Sequence, residues 1–76
     1  MKVVVRVYGQ MQDVLGKKNW FEMDIGESSS VNEVIERLGL RREWILTVLV
    51  NQTTSSFDSR LQEGDKVEFI PMIAGG

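Results

Sequence analysis

The sequence predicts an α+β domain in which a mixed, four-stranded sheet carries one main helix across one of its faces. Three observations lead there. Segments 2–8, 19–25, 45–51 and 66–70 are of strand length and rich in β-branched or alternating apolar residues. Segment 31–38 alone carries a long apolar stripe at helical spacing. The resulting order, β-β-α-β-β, gives both strand pairs an inner face that must be covered, and that helix is the available cover.

KVVVRVY over 2–8 sets Val3, Val5 and Val7 on one side and Lys2, Arg6 and Tyr8 on the other, with Val4 an apolar exception on the outer side. Residues 9–18 are a connection bracketed by Gly9 and Gly16. In it Met11, Val14 and Leu15 form a turn or two of amphipathic helix that Gly16 stops. NWFEMDI over 19–25 is the second strand, Phe21, Met23 and Ile25 inward and Trp20, Glu22 and Asp24 outward. The helix start has the form of a capping box: the Ser30 hydroxyl can accept from the Glu33 N–H while Glu33 reaches back. Val31, Val34, Ile35 and Leu38 make the apolar stripe, and Gly39 ends it.

Arg41–Trp44 adds a short turn before ILTVLVN over 45–51, the third strand. QTTSSF over 52–57 reads as a polar loop anchored by Phe57, and 58–61 as a single capped turn. Gln62-Glu63-Gly64-Asp65 is a tight turn with positive φ expected at Gly64. KVEFI over 66–70 closes the sheet with Val67 and Phe69 inward, and Pro71 limits pairing beyond it. The expected core is Val3, Val5, Val7, Phe21, Met23, Ile25, Val34, Ile35, Leu38, Val48, Val50, Leu61, Val67 and Phe69.

Seventy-six residues make one domain, 1–76, with a flexible tail over 72–76. With no Cys, thiol catalysis, disulfides and thiolate metal sites are excluded. With no His, the commonest general base and transition-metal ligand are missing. A net charge of −2 argues against a surface that tracks nucleic-acid phosphates. No segment has the form of a signal peptide or the length of a membrane helix, so a cytoplasmic protein is expected, with no membrane and no nucleic-acid partner. The serines at 28–30, 55, 56 and 59 lack a base, and the acidic pairs Glu22/Asp24 and Glu33/Glu36 read as solvated surface charge. The folded body is therefore expected to be no enzyme and to bind no metal or cofactor.

The tail differs from the body. Met72, Ile73 and Ala74 are apolar where a frayed end is usually polar, and Gly75-Gly76 follow. Two residues without side chains let an extended terminus thread a narrow channel and present a bare carboxylate to another protein's active site. Together with this tail, the stretch Glu63-Gly64-Asp65-Lys66-Val67-Glu68-Phe69-Ile70-Pro71 resembles the small β-grasp sulfur carriers, which end in Gly-Gly after a Gly-Asp strand. Val48-Leu49-Val50-Asn51-Gln52 is similar to their third strand. Val3 to Gly9 with the Met11–Leu15 turn resembles the opening of the molybdopterin synthase small subunit (MoaD) more than that of the thiamine sulfur carrier (ThiS), whose hairpin is tighter there. Met72 stands where a second proline is common in the MoaD tail.

The resemblance covers the whole chain. It implies a β-grasp, ubiquitin-like fold with the first and last strands paired in parallel at the sheet centre. It also implies a carrier rather than a catalyst. A ubiquitin-activating-like adenylyltransferase would use ATP to adenylate the Gly76 carboxylate. A sulfur donor would turn it into a thiocarboxylate, and the sulfur would pass to a synthase subunit for molybdopterin, tungstopterin or thiamine synthesis. Met72, Ile73, Ala74 and Gly75 would thread the partner's site. Alternation puts Val4, Leu49 and Ile70, with Thr47 and Glu68, on the face opposite the helix, where an apolar group has no core to meet and reads as a partner surface. Two other readings stand beside the carrier: a ubiquitin-like modifier joined to target lysines through Gly76, and a β-grasp binding module whose Gly-Gly end is incidental.

Overall fold

The computed structural model describes residues 1–72. Strand β1 (Lys2–Val7) is followed by the short helix α1 (Met11–Val14), strand β2 (Trp20–Asp24), helix α2 (Val31–Leu38), a 3₁₀ turn at Arg42–Trp44, and strands β3 (Ile45–Val50), β4 (Thr53–Ser55) and β5 (Lys66–Pro71). The sheet order is β2-β1-β5-β3-β4. β1 and β5 pair in parallel at the centre, Val5 opposite Val67 and Val7 opposite Phe69, and the remaining pairs are antiparallel. The expected central parallel pair is therefore present.

The sheet has five strands where the sequence suggested four. Asn51 and Gln52 both take left-handed conformations, φ 51 and 69, and these suit a two-residue hairpin turn whose twist matches the strands. The turn brings Thr53 opposite Val50 and Ser55 opposite Val48. Thr-Thr-Ser lacks apolar alternation because it is an edge strand, exposed along much of its length, so no periodicity marks it.

Helix α2 ends at Gly39, whose left-handed φ of 69 lets the last-turn carbonyls be capped by the backbone. Its start corrects the sequence reading: Ser30 sits at the cap, but its side chain makes no capping hydrogen bond. Only the Ser30 carbonyl is used, by the Glu33 N–H at 3.0 Å. The two preceding orphan donors are satisfied from far along the chain, Val31 N–H to the Ser59 carbonyl and Asn32 N–H to the Phe57 carbonyl, each at 3.0 Å. A tertiary contact has replaced a local one.

All fourteen expected core residues lie inward, but the burial is uneven. Phe21 and Met23 are half-buried because β2 is the outer strand, and Leu38 and Val50 sit at the margin. Met11 and Val31, fully buried, and Leu40 and Ile45, nearly so, join the core instead. Met11 is the reason the 9–18 connection is ordered against the core, whereas Val14, 48% exposed, does not take part. Pro71 did not end pairing as expected. The register of β3 slips between Ile45 and Thr47, which sets Ile45 opposite Pro71, and the Met72 N–H then donates to the Trp44 carbonyl at 2.7 Å. A proline withholds only its own donor, so the ladder continues past it.

Candidate functional site

The face opposite α2 is built by the outward residues of the five strands. The register lays them in rows: Trp20, Arg6, Glu68, Leu49 and Thr54 in one, Glu22, Val4 and Lys66 in the next, and Ile70 beside Thr47 in a third. Val4, Leu49 and Ile70 thus share one face, each half-buried. They do not form one apolar patch. Leu49 and Ile70 flank Glu68; Leu49 shares the Arg6–Glu68 row, and that row lies between Ile70 and Val4.

That row is the feature the sequence reading missed. Glu68 points away from the core yet is only 8% exposed. Its Oε2 accepts from the Tyr8 hydroxyl at 2.6 Å. The Arg6 guanidinium carbon lies 5.2 Å from the centre of the Tyr8 ring, a cation–π arrangement. Arg6 Nε is buried and finds no hydrogen-bond partner among the described residues. The hydrogen bond to Glu68 raises the Tyr8 pKa above its ordinary 10.0, helped by burial and by the Glu68 charge, with Arg6 pulling the other way. The signal for this cluster was available only in outline: alternation puts Arg6 and Glu68 both outward, and the register of the β1/β5 pair sets them opposite each other.

The tail leaves from the end of β5. Gly9, at φ +60, lies beside Pro71: a Cβ on Gly9 would come within 3.5 Å of Pro71 Cγ. Met72 is exposed at its side chain, and its amide is held by Trp44. Met72 is the one residue of the expected 72–76 tail that is described. Ile73, Ala74, Gly75 and Gly76, and the flexibility expected of them, lie outside the described residues. At the other edge, Leu46 and Phe57 with Ser55 and Ser56 line a shallow groove of about 270 Å³. No group of three or more acidic residues is placed to hold a metal ion among the described residues. No helix among them is long and apolar enough to cross a membrane.

A five-stranded mixed sheet with a central parallel β1/β5 pair and one main helix across one face defines the ubiquitin-like β-grasp class. The ThiS family model matches residues 5–76, and the chain belongs to that family. Its fold is shared with molybdopterin converting factor subunit 1 from Pyrococcus furiosus (23% identity, 96% of this chain and 99% of that one, TM-score 0.77). It is shared with small archaeal modifier protein 1 of Haloferax volcanii (15% identity, 95% and 98%, TM-score 0.78). The complex of subunits 1 and 2 of molybdopterin-converting factor from Helicobacter pylori also contains it (20% identity, 100% of both chains, TM-score 0.63). The comparison with curated proteins gave no match.

Proposed function

We propose that this chain is a sulfur carrier. A ubiquitin-activating-like adenylyltransferase activates Gly76, and the resulting thiocarboxylate supplies sulfur to a synthase subunit in molybdopterin, tungstopterin or thiamine synthesis. The observation that carries the reading is the ThiS family match, which runs through Gly75-Gly76. The fold shared with a molybdopterin converting factor subunit and with a two-subunit complex of that factor supports a synthase partner.

The chemistry follows from the weakness of a carboxylate as an electrophile. The Gly76 carboxylate attacks the α-phosphorus of ATP and pyrophosphate leaves. Sulfide from a donor then adds to the acyl carbon and AMP departs, leaving a thiocarboxylate. Its sulfur is a softer, stronger nucleophile than the original oxygen and adds to an electrophilic carbon of the acceptor, forming an acyl–sulfur–acceptor link; water then cleaves the acyl–sulfur bond, so the sulfur stays on the acceptor and Gly76 returns as a carboxylate. The folded body catalyses none of these steps. It docks the partner and delivers the tail, in the cytoplasm, where ATP and reduced sulfur are available. The reading requires Gly76 to bear the free carboxylate.

A second reading is favoured by the fold shared with small archaeal modifier protein 1: the same adenylate, attacked by a lysine amine, would give a conjugate. Mass spectrometry of the protein isolated from its source separates the two. One oxygen replaced by sulfur at Gly76 supports the carrier. Lysine adducts support the modifier. Finding neither leaves a binding module with an incidental Gly-Gly end.

A further inference from the structure

We infer that Arg6 is a specificity residue of the docking face, where it receives a carboxylate from the adenylating partner. The inference rests on the carrier reading and adds to it the chemistry of the surface that must meet this face.

The reasoning starts from charge. Arg6 lies mid-sheet, between Trp20 on β2 and Glu68 on β5. Glu68 is the neighbour that would ordinarily neutralise it. Its Oε2 is instead bonded to Tyr8, and Arg6 makes no ion pair within 4.0 Å among the described residues, where the ion pairs are Met1–Glu27 and Arg41–Glu43. Glu68 is also too deeply covered to meet a partner, whereas Arg6 is only half-buried. The accessible charge at the centre of the face is therefore positive. Lys66 beside Val4 adds to it, and Glu22 opposes it from the outer strand.

Arg6 is already partly desolvated. Its Nε is out of contact with water and unpartnered, and its guanidinium lies near the Tyr8 ring. A protein that covers Val4, Leu49 and Ile70 must also cover Arg6, which stands among them. Burying that cation without an acceptor costs more than the surrounding apolar contact returns. A carboxylate facing Arg6 removes the penalty and supplies a charge-assisted bond. Surfaces with an apolar or basic group at that position are rejected. The complement of this face is thus an apolar surface centred on an acidic side chain.

The test is ATP–pyrophosphate exchange by the cognate activating enzyme with the full-length carrier as varied substrate. Arg6→Met keeps the side-chain bulk and removes the charge. It should raise KM for the carrier about tenfold or more with kcat unchanged, because the contact is remote from the reacting carboxylate and a partner carboxylate is left unpaired. Arg6→Lys should recover part of the loss. A purely apolar partner surface predicts the opposite for Arg6→Met, an unchanged or lower KM, and that result overturns the inference while leaving the carrier reading intact. No exchange with the wild-type chain overturns the carrier reading and this inference with it. Should Arg6→Met fail to fold, the Arg6 Nη–H resonances of the wild-type protein decide: a downfield shift on titration with the enzyme supports the contact, and unmoved resonances overturn it.

Discussion

Tyr8 is the protein's single tyrosine, so its ionisation can be followed without ambiguity by tyrosinate absorbance. The Glu68 hydrogen bond favours the neutral phenol and raises its pKa above 10.0. Because the folded-state value is the higher one, the associated stability is fully present below the ordinary tyrosine pKa and is lost as pH rises through the folded value. The expected titration midpoint lies above 10, and Glu68→Leu, which removes the acceptor, should bring it down; equal midpoints would mean that the bond does not form in solution. Gly9 makes a second residue-scale case. Its φ of +60 is unfavourable for an L-residue, whereas an added Cβ would sit at an ordinary contact distance of 3.5 Å from Pro71. Gly9→Ala should therefore cost about 1–2 kcal/mol of unfolding free energy through backbone strain alone. A larger loss by chemical denaturation would reveal a clash at the root of the tail.

Among the elements, α2 shows how a local signal was superseded. Ser30 has cap geometry but no side-chain bond, and Ser59 and Phe57 supply the acceptors for the first turn. Ser30→Ala should thus cost less than the roughly 1 kcal/mol usual for a cap, within about 0.5 kcal/mol by denaturant titration. The β3–β4 hairpin makes a contrasting case. Asn51 shapes the turn, donates from Nδ2 to Asp65 at 2.9 Å and accepts from the Lys66 N–H at 3.0 Å, so it ties β3 to the start of β5. On β5, Ile70 is half-buried on the open face beside Thr47. Ile70→Glu should lower stability by no more than about 1 kcal/mol, yet weaken docking to the activating enzyme more than about tenfold. Unfolding of that variant would mean that Ile70 belongs to the core.

Over the whole molecule, the central β1/β5 pair ties Lys2–Val7 to Lys66–Pro71, so on the carrier reading the element that stabilises the sheet also carries the 72–76 segment. Even so, stability and tail delivery should separate at Gly76. Deleting it removes no described contact and should leave the unfolding midpoint unchanged. It would also withdraw the carboxylate by about one residue, ~3.5 Å, from the α-phosphorus of bound ATP. A displacement of that size defeats a positioned attack, and exchange activity should fall to background. Exchange equal to that of the intact chain would make the Gly-Gly end incidental.

The sequence by itself determined the period-two strands, the helical stripe with its glycine stop, and so the fold class and the face on which Val4, Leu49 and Ile70 stand. Those features depend on local repeat and on side-chain polarity, which the chain carries residue by residue. The tertiary structure decided the rest. β4 exists through its pairing with β3, since Thr53–Ser55 has no apolar pattern of its own. The first turn of α2 is capped by residues more than twenty positions away. Pro71 remains in the sheet because a slip in β3 places Ile45 opposite it. The Arg6–Tyr8–Glu68 cluster depends on a parallel register between strands some sixty residues apart, and register is a property of two strands together, absent from either one alone.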